Sequence, residues 1–275
     1  MAFPEKAPAA IVPPKVAIVT GAGTGIGAAI ATRLAALGWR VVLGGRTAAS
    51  LEEVARRIRQ TGGKAEPVPG DVTVAADVAR LVDAAGPTLD ALIHNAGIGH
   101  CLTIDELDEQ EWRQVLDVAV TGAFLTAKLA LPKLRATPAG PGHVIQVCSL
   151  ASGGTWNREI GYGTAKGAQL KFTLHLASQM KEDAARGGRT IHVHAVCPGT
   201  VDTPFWDRVP NRPIERKLAL RADEVAWLVE ELIKDPTGTI TDLIPKRPRP
   251  EVVVKPHPPF ERWSNVIAIA HESHP

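Results

Sequence analysis

The chain lacks the features that mark a metal-binding, disulfide-rich or membrane protein. Its 275 residues include only three cysteines, whose spacing fits neither a metal site nor a disulfide framework. Cys148 and Cys197 lie in apolar runs, so we expect buried free thiols in a reducing compartment. No run approaches the roughly 20 apolar residues that cross a bilayer, and the N-terminus does not resemble a signal peptide. We therefore expect a cytoplasmic protein without a membrane partner.

An excess of charge of one sign is also missing, and tyrosine is scarce. Lys and Arg total 31 against 29 Asp and Glu, which gives a formal net charge of +2 and no reason to expect a nucleic-acid partner. The content of 45% hydrophobic and 22% charged residues is typical of a globular protein with a buried core. The chain has 1 tyrosine, Tyr162.

Short apolar runs alternate with helical patterns along most of the chain. Strands are predicted at 15–20, 41–43, 65–68, 89–94, 143–148 and 191–196, and helices at 25–37, 48–60, 75–85, 109–134 and 162–185. The helix at 109–134 is expected to break or bend near Pro132. This alternation predicts an α/β fold. We expect a doubly wound, Rossmann-type parallel sheet of about seven strands, flanked by helices in three α/β/α layers.

Only the two ends of the chain depart from this pattern. We predict an N-terminal extension at 1–14, a single domain at 15–243 and a proline-rich C-terminal tail at 244–275. Residues 239–243 have the pattern of a last edge strand, whereas PKRPRP and KPHPP hold too much proline for a central strand. The tail is compatible with an oligomer arm, part of a substrate lid or a loosely ordered segment.

A glycine-rich segment joins the first predicted strand to the first helix. Residues 20–27 read TGAGTGIG. Glycines allow a sharp turn and a close approach to a pyrophosphate, and the helix N-terminus offers free N–H groups and a partial positive charge. At the head of a βαβ unit, this segment predicts a dinucleotide-binding site.

A phenol and an ammonium group share one face of a later predicted helix. Tyr162 and Lys166 are four residues apart, one helical turn. A cation at roughly 4 Å stabilises a phenolate by on the order of 4 kcal/mol before desolvation. That interaction can lower the phenol pKa from about 10 by roughly two to three pH units. We therefore expect Tyr162 to be an acid–base catalyst.

These motifs, with three others in the same order, resemble the short-chain dehydrogenase/reductase family over about residues 15–233. Residues 20–27 are similar to its TGxxxGxG loop, residues 94–97 (HNAG) to its NNAG segment, and residues 198–203 (PGTVDT) to its PGxVxT stretch. Asp71 and Val72 match the site of the acidic residue that meets the adenine ring. Ser149, thirteen residues before Tyr162, matches the serine that holds the substrate oxygen.

The resemblance implies hydride transfer between a nicotinamide cofactor and the CH–OH or carbonyl group of a small substrate. Ser149 would hold the reacting oxygen, Tyr162 would give or take its proton, and Lys166 would lower the Tyr162 pKa and hold the nicotinamide ribose. A homodimer or homotetramer is implied as well. The implied cofactor-binding residues are Gly21, Thr24, Gly25, Ile26, Gly27, Arg46, Asp71, Val72, Asn95, Ala96, Gly97, Tyr162, Lys166, Pro198, Val201 and Thr203.

The end of the second predicted strand bears on the choice of cofactor. NAD-preferring members carry an acid there, whereas this chain reads Gly44-Gly45-Arg46. The Arg46 guanidinium suits a 2′-phosphate, its alternative being a solvated arginine that opens a loop. Many NADP-binding members have a basic residue at the position of Thr24. Of the two basic residues that indicate NADP binding, this chain therefore has only the one at Arg46. The sequence favours NADP(H) over NAD(H).

Two positions depart from the family pattern. Ala119 replaces an asparagine whose amide supports a distortion in the long central helix, where a main-chain carbonyl holds a water of the proton relay. Loss of the amide predicts slower proton delivery, or its replacement by another group. His94 replaces the first asparagine of NNAG, and a structural histidine is favoured there over a proton-relay group. Ala119 and the unusual tail also motivate the alternative function, a nucleotide-binding sensor or scaffold with little turnover.

Substrate choice is expected to depend on three loops, after Gly97, at 151–158 and at 204–214. Trp156 and Trp206 are candidates for apolar pocket walls or for packed core residues. His100 is a candidate pocket residue, its alternative being an exposed loop side chain. No cluster of charges indicates a phosphorylated or acyl-carrier substrate.

Overall fold

The computed structural model of the chain describes residues 14–138, 140–209, 214–235, 252–256 and 266–271. Its strands are β1 Val16–Thr20, β2 Arg40–Gly45, β3 Lys64–Pro69, β4 Ala91–His94, β5 Gly142–Val147, β6 Ile191–Pro198, β7 Val201–Asp202, β8 Leu220–Arg221, β9 Val252–Pro256 and β10 Val266–His271. Its α-helices are α1 Gly25–Ala36, α2 Ala48–Gln60, α3 Ala75–Ala84, α4 Glu109–Leu116, α5 Gly122–Ala136, α6 Ile160–Ala185 and α7 Ala222–Lys234.

The main sheet has the order β3-β2-β1-β4-β5-β6-β10-β9. β1 pairs in parallel with β2 on one side and with β4 on the other, so the chain reverses its direction of winding between β1 and β4. The six parallel strands in the order 3-2-1-4-5-6, flanked by helices, confirm the predicted doubly wound, Rossmann-type fold. Such a sheet opens a crevice where the winding reverses, at the carboxyl ends of its strands.

Both faces of the sheet are buried, which explains why its strands read as continuous apolar runs. One face packs against α1, α2 and α7. The opposite face packs against α3, α5 and α6. All three cysteines are buried free thiols, as predicted for Cys148 and Cys197.

Two strands of the main sheet lie within the predicted tail, where the sequence analysis expects none. β10 pairs in parallel with β6, and β9 pairs antiparallel with β10. The sequence analysis missed them because VVVKP and VIAIAH are short apolar runs in a proline-rich region. The proline of β9 is the last residue of the outermost strand, a position that tolerates proline. The division of the chain at residues 14 and 243 stays a prediction. The extension up to residue 13 and the predicted edge strand at 239–243 lie outside the described residues.

The long helix predicted at 109–134 departs from α geometry at a different place than expected. It continues through Pro132 to Ala136. The irregular part is a π-helical stretch, Asp117–Thr121, between α4 and α5, which we call the π segment. The stretch Glu109–Ala136 is long and apolar enough to cross a membrane by length and composition, yet about half of its most apolar part is buried in the fold. A core helix of a globular protein has the same properties.

Candidate active site

A cleft of about 720 Å³ opens at the carboxyl ends of β1, β2, β4, β5 and β6. Every predicted cofactor-binding and catalytic residue lines it except Gly27. The sheet topology explains this convergence, because parallel strands bring the residues that follow them to one edge. Residues far apart in the sequence therefore form a single site.

The glycine loop forms one wall of the cleft, and two of its glycines have no room for a side chain. Gly21 has a φ of +64°, and a Cβ there would lie 2.8 Å from Asn95 Nδ2. A Cβ on Gly27 would lie 2.3 Å from the Gly21 carbonyl oxygen. Gly27 therefore allows α1 to pack against the loop instead of lining the cleft. Thr24 precedes α1 without a side-chain capping bond, which leaves the first amides of the helix directed at the cleft.

The end of β4 is tied to the glycine loop through Thr20. The Thr20 hydroxyl oxygen accepts hydrogen bonds from the backbone N–H groups of Asn95 and Ala96, both at 3.0 Å. In the other direction, Asn95 Nδ2 donates to the carbonyl oxygens of Thr20 and Gly21, at 3.1 and 3.3 Å. These bonds fix the segment after β4 beside the loop that would approach a pyrophosphate. Thr20 was not among the predicted site residues, and it acts from behind the cleft wall.

Arg46 and Asp71 lie at the end of the cleft formed by the strands β2 and β3. Arg46 is exposed and has no hydrogen bond or ion pair among the described residues. The Asp71 carboxylate accepts bonds from the backbone N–H and the hydroxyl of Thr73, at 2.9 and 2.8 Å. Thr47 and Ser50, which the sequence analysis missed, line the same end. The guanidinium is therefore available to an anionic ligand.

Ser149 and Tyr162 meet in the cleft. Ser149 Oγ accepts a bond from the backbone N–H of Ala151, at 3.1 Å, and the Ser149 N–H donates to Ser152 Oγ, at 3.3 Å. These bonds fix the serine at the start of a short 3₁₀ turn. Its hydroxyl faces the phenol of Tyr162 closely enough to influence the ionisation of that group.

The pKa of Tyr162 is opposite in direction to the sequence-based prediction. Burial raises the pKa of the phenol to about 12, and the hydrogen bond with Ser149 opposes this rise. The predicted lowering by Lys166 is therefore absent from this structure. The Lys166 Nζ atom lies 6.0 Å from the centroid of the Tyr162 ring, and loss of hydration outweighs its attraction for a phenolate. At neutral pH the group is a protonated phenol.

Lys166 lies beneath Tyr162 on α6 and is 4% exposed. Its Nζ atom donates to the carbonyl oxygen of Val147 and to Gln169 Oε1, both at 2.9 Å. A Cβ on Gly97 would lie 3.5 Å from the same atom, so the ammonium group faces the cofactor-lining segment after β4. Burial lowers the pKa of this lysine.

The π segment is present although Ala119 cannot supply a supporting amide. Ala119 is buried in a cluster that includes Ala165 and borders Tyr162. His94 lies beneath the segment with its Nδ1 atom 3.2 Å from the Thr126 hydroxyl. Burial is the main reason that its pKa falls to about 3, so it is a neutral ring in the folded protein. These contacts support the prediction of a structural histidine.

The other lining residues of the cleft include aromatic residues and the polar residues Glu111, Gln114 and Glu159. Phe205 packs edge-on against Trp206 with ring centroids 5.2 Å apart, and it also contacts Tyr162 at 6.0 Å. Trp156 lines the cleft and stays 42% exposed. His100 lines it as well, packed against Gly161 immediately before Tyr162. Phe205 was missed because nothing in its sequence context distinguishes it from a core residue.

Comparison with known proteins agrees with this geometry. The family model described as short chain dehydrogenase matches residues 15–213. The chain belongs to the short-chain dehydrogenase family. A curated relative, the cis-4-hydroxycyclohexanecarboxylate dehydrogenase of Sinomonas cyclohexanicum, is 36% identical over 243 residues, which cover 84% of this chain and 93% of the relative.

Solved structures show the same relationship. The alcohol dehydrogenase of the archaeon Thermococcus sibiricus, complexed with 5-hydroxy-NADP, has a TM-score of 0.72 at 29% identity and covers 82% of this chain and 92% of its own. A short-chain dehydrogenase/reductase of Burkholderia phymatum in complex with NAD has a TM-score of 0.73 at 26% identity, covering 81% and 86%. This short-chain dehydrogenase is therefore an NAD(P)-dependent oxidoreductase.

Proposed function

We propose that this short-chain dehydrogenase is an NADP(H)-dependent carbonyl reductase that interconverts a small ketone or aldehyde and its alcohol. The observation that carries the proposal is the meeting of Ser149, Tyr162 and Lys166 at one end of a cleft whose other wall is the glycine loop. The cradle fits a dinucleotide because Gly21, Gly23 and Gly25 line it, and glycine lets the backbone approach a pyrophosphate closely. When bound, the nicotinamide supplies or accepts the hydride.

The protein groups then have separate tasks. Ser149 holds the carbonyl oxygen of the substrate by a hydrogen bond. Tyr162, a protonated phenol at neutral pH, donates its proton to that oxygen as negative charge develops there. Lys166 stabilises the phenolate that Tyr162 becomes and faces the site of the nicotinamide ribose.

The preference for NADP(H) is supported by the end of the cleft around Arg46. An exposed guanidinium without a partner among the described residues, together with the hydroxyl groups of Thr47 and Ser50, offers donors to a 2′-phosphate. No carboxylate follows β2 at Gly45 to repel that phosphate. Neighbouring structures contain both kinds of cofactor, since one is complexed with 5-hydroxy-NADP and another with NAD.

The substrate is proposed to be apolar around its reacting carbon. Trp156, Phe205 and Trp206 give the cleft flat apolar walls. Its polar lining residues include His100, close to the helix turn of Tyr162, and Glu111, Gln114 and Glu159. The relative from Sinomonas cyclohexanicum is named for a ring alcohol, which agrees with walls of this kind. Cyclic ketones are therefore the first candidates.

A cofactor-oxidation screen tests this function. Cyclic and open-chain ketones, aldehydes, imines and sugars are offered with NADPH and with NADH, and nucleotide binding is measured in parallel by fluorescence. We expect turnover of cyclic ketones with a higher kcat/KM for NADPH. Tight NADPH binding without turnover of any compound would favour the sensor or scaffold alternative. Cytoplasmic location and a homodimer or homotetramer stay predictions, the second of which sedimentation would test.

A further inference from the structure

The buried Lys166 ammonium group is held by neutral acceptors. Its two hydrogen bonds go to the Val147 carbonyl and to the side chain of Gln169, and within the described ranges it has no ion pair with a carboxylate. A carboxylate at this distance would offset the positive charge. A neutral amide orients the ammonium group and leaves its field available to Tyr162.

The orientation of the Gln169 amide is fixed by a second buried glutamine. Gln169 Nε2 donates to Gln146 Oε1 at 3.0 Å, which leaves Gln169 Oε1 to accept from Lys166. The reversed amide would place its N–H groups against the ammonium group and its oxygen against Gln146 Oε1. Both contacts therefore select the same orientation. Gln146 and Gln169 are each 0% exposed, so water does not compete for these bonds.

The two glutamines are carried by the elements that build the catalytic site. Gln146 precedes Val147 at the end of β5, and Gln169 lies three residues after Lys166 on α6. The acceptors of Lys166 thus come from β5, whose last residue lies two positions before Ser149, and from the helix that carries Tyr162. Any shift of α6 over β5 would be resisted by these bonds.

We propose that Gln169, oriented by Gln146, is a positioning residue that acts through Lys166 on proton transfer by Tyr162. This inference rests on the proposed function. As Tyr162 gives up its proton, negative charge forms on its oxygen, and an ammonium group at a fixed place lowers the barrier to that step. The larger effect falls on the chemical step, because Gln169 does not line the cleft itself, and the smaller effect on NADPH affinity follows from the place of Lys166 beside the proposed ribose site.

Three variants test the proposal, with reduction of a cyclic ketone by NADPH as the assay. Gln169→Leu removes the acceptor at similar volume, and Gln169→Glu places a carboxylate beside the ammonium group. Thr173→Val is the matched control, since Thr173 is buried on the same helix and its hydroxyl donates to the backbone carbonyl of Gln169, at 2.8 Å, without contacting Lys166. For each variant, kcat, the ketone KM, NADPH affinity and melting temperature are measured.

We expect kcat to fall by about tenfold in Gln169→Leu and by about a hundredfold in Gln169→Glu, with the ketone KM and the NADPH Kd within about threefold of the wild type. Thr173→Val keeps the wild-type kcat. A structural role alone would make kcat, KM and NADPH affinity deteriorate together with melting temperature. If the kcat of Gln169→Leu equals the kcat of Thr173→Val, the proposal is overturned.

Gln146→Leu is a second variant for the case that substitutions at Gln169 prevent folding. It removes one of the two contacts that select the orientation of the Gln169 amide, so kcat should fall by about threefold to tenfold with an unchanged NADPH Kd. Full activity in Gln146→Leu would contradict the proposed orientation. If the folded wild type binds NADPH and reduces no ketone, both the proposed function and this inference are overturned. If the wild type is active, the variants test the role of Gln169 alone.

Discussion

At the scale of single residues, Tyr162 shows how burial can reverse an expectation drawn from spacing. The four-residue separation from Lys166 correctly places both groups on one helix face, but it contains no information on how much water the phenol loses. Burial raises the Tyr162 pKa to about 12, and only the three-dimensional packing determines that. Sequence reasoning therefore identified the group and its neighbour, and it predicted the wrong direction for the pKa.

The lone tyrosine allows this pKa to be measured directly. We expect the tyrosinate absorbance of the folded protein to rise with a midpoint near 12, with circular dichroism used to verify folding at each pH. Ser149→Ala should show less tyrosinate than the wild type at about pH 11, because the Ser149 hydrogen bond lowers the pKa of the phenol. Ser178→Ala, at an exposed position of α6, is the control and should titrate like the wild type. A midpoint at or below about 10 would show that the Lys166 charge dominates.

At the scale of elements, regular alternation was predictable and local irregularity was not. The strands β1 to β6 and helices α1 to α3 follow from apolar periodicity, since a parallel sheet buries both of its faces. Apolar periodicity does not reveal the π segment, which lies where the family resemblance implies a helix distortion, and its Ala119 packs in a cluster with Ala165 of α6. The tail strands were missed for another reason, because the proline clusters around them dominate the composition of the region.

Two loops at the mouth of the cleft are joined by an ion pair. One guanidinium nitrogen of Arg158, just before α6, lies within 2.8 Å of both carboxylate oxygens of Glu106. Beside this ion pair, Leu102 and Glu159 form an isolated parallel β-bridge. Arg158 adopts a φ of +65°, a left-handed conformation that costs a non-glycine residue about 1 kcal/mol or more. The ion pair and the bridge therefore hold a strained loop against its neighbour.

Breaking this pair should loosen substrate binding while cofactor binding is preserved. We expect Glu106→Gln to raise the KM of a cyclic ketone by about threefold to tenfold, with an NADPH Kd unchanged because the glycine loop is remote from the pair. Glu109→Gln is the control, since Glu109 forms an exposed pair with Arg113 on α4. Equal KM values in the two variants would show that the pair does not organise the mouth of the cleft.

At the scale of the whole molecule, several buried histidines make stability depend on pH. Burial lowers the pKa of His94 and His143 to about 3 and that of His194 to about 4. Below about pH 6.5 these histidines bind protons in the unfolded chain but stay neutral in the folded protein. The folding free energy that they contribute above this pH is therefore lost as the pH falls towards 4. Each such histidine contributes a loss of up to about 1.4 kcal/mol per pH unit in that window.

Urea denaturation at several pH values between 7 and 5 measures this dependence. The free energy of unfolding should fall with decreasing pH, and His143→Leu should reduce the slope by about a third, because one of three strongly shifted groups is removed. His175→Gln is the control, since His175 is exposed on α6. A wild-type slope in His143→Leu would contradict the assignment of a neutral buried ring.

The central claim is that the phenol of Tyr162 delivers the proton in carbonyl reduction. The most direct measurement compares the wild type with Tyr162→Phe for reduction of a cyclic ketone by NADPH, with NADPH affinity measured on the same samples. The account predicts a loss of kcat/KM of about a hundredfold to ten-thousandfold and an NADPH Kd within about threefold of the wild type. A Tyr162→Phe enzyme that retains the wild-type kcat/KM would contradict it.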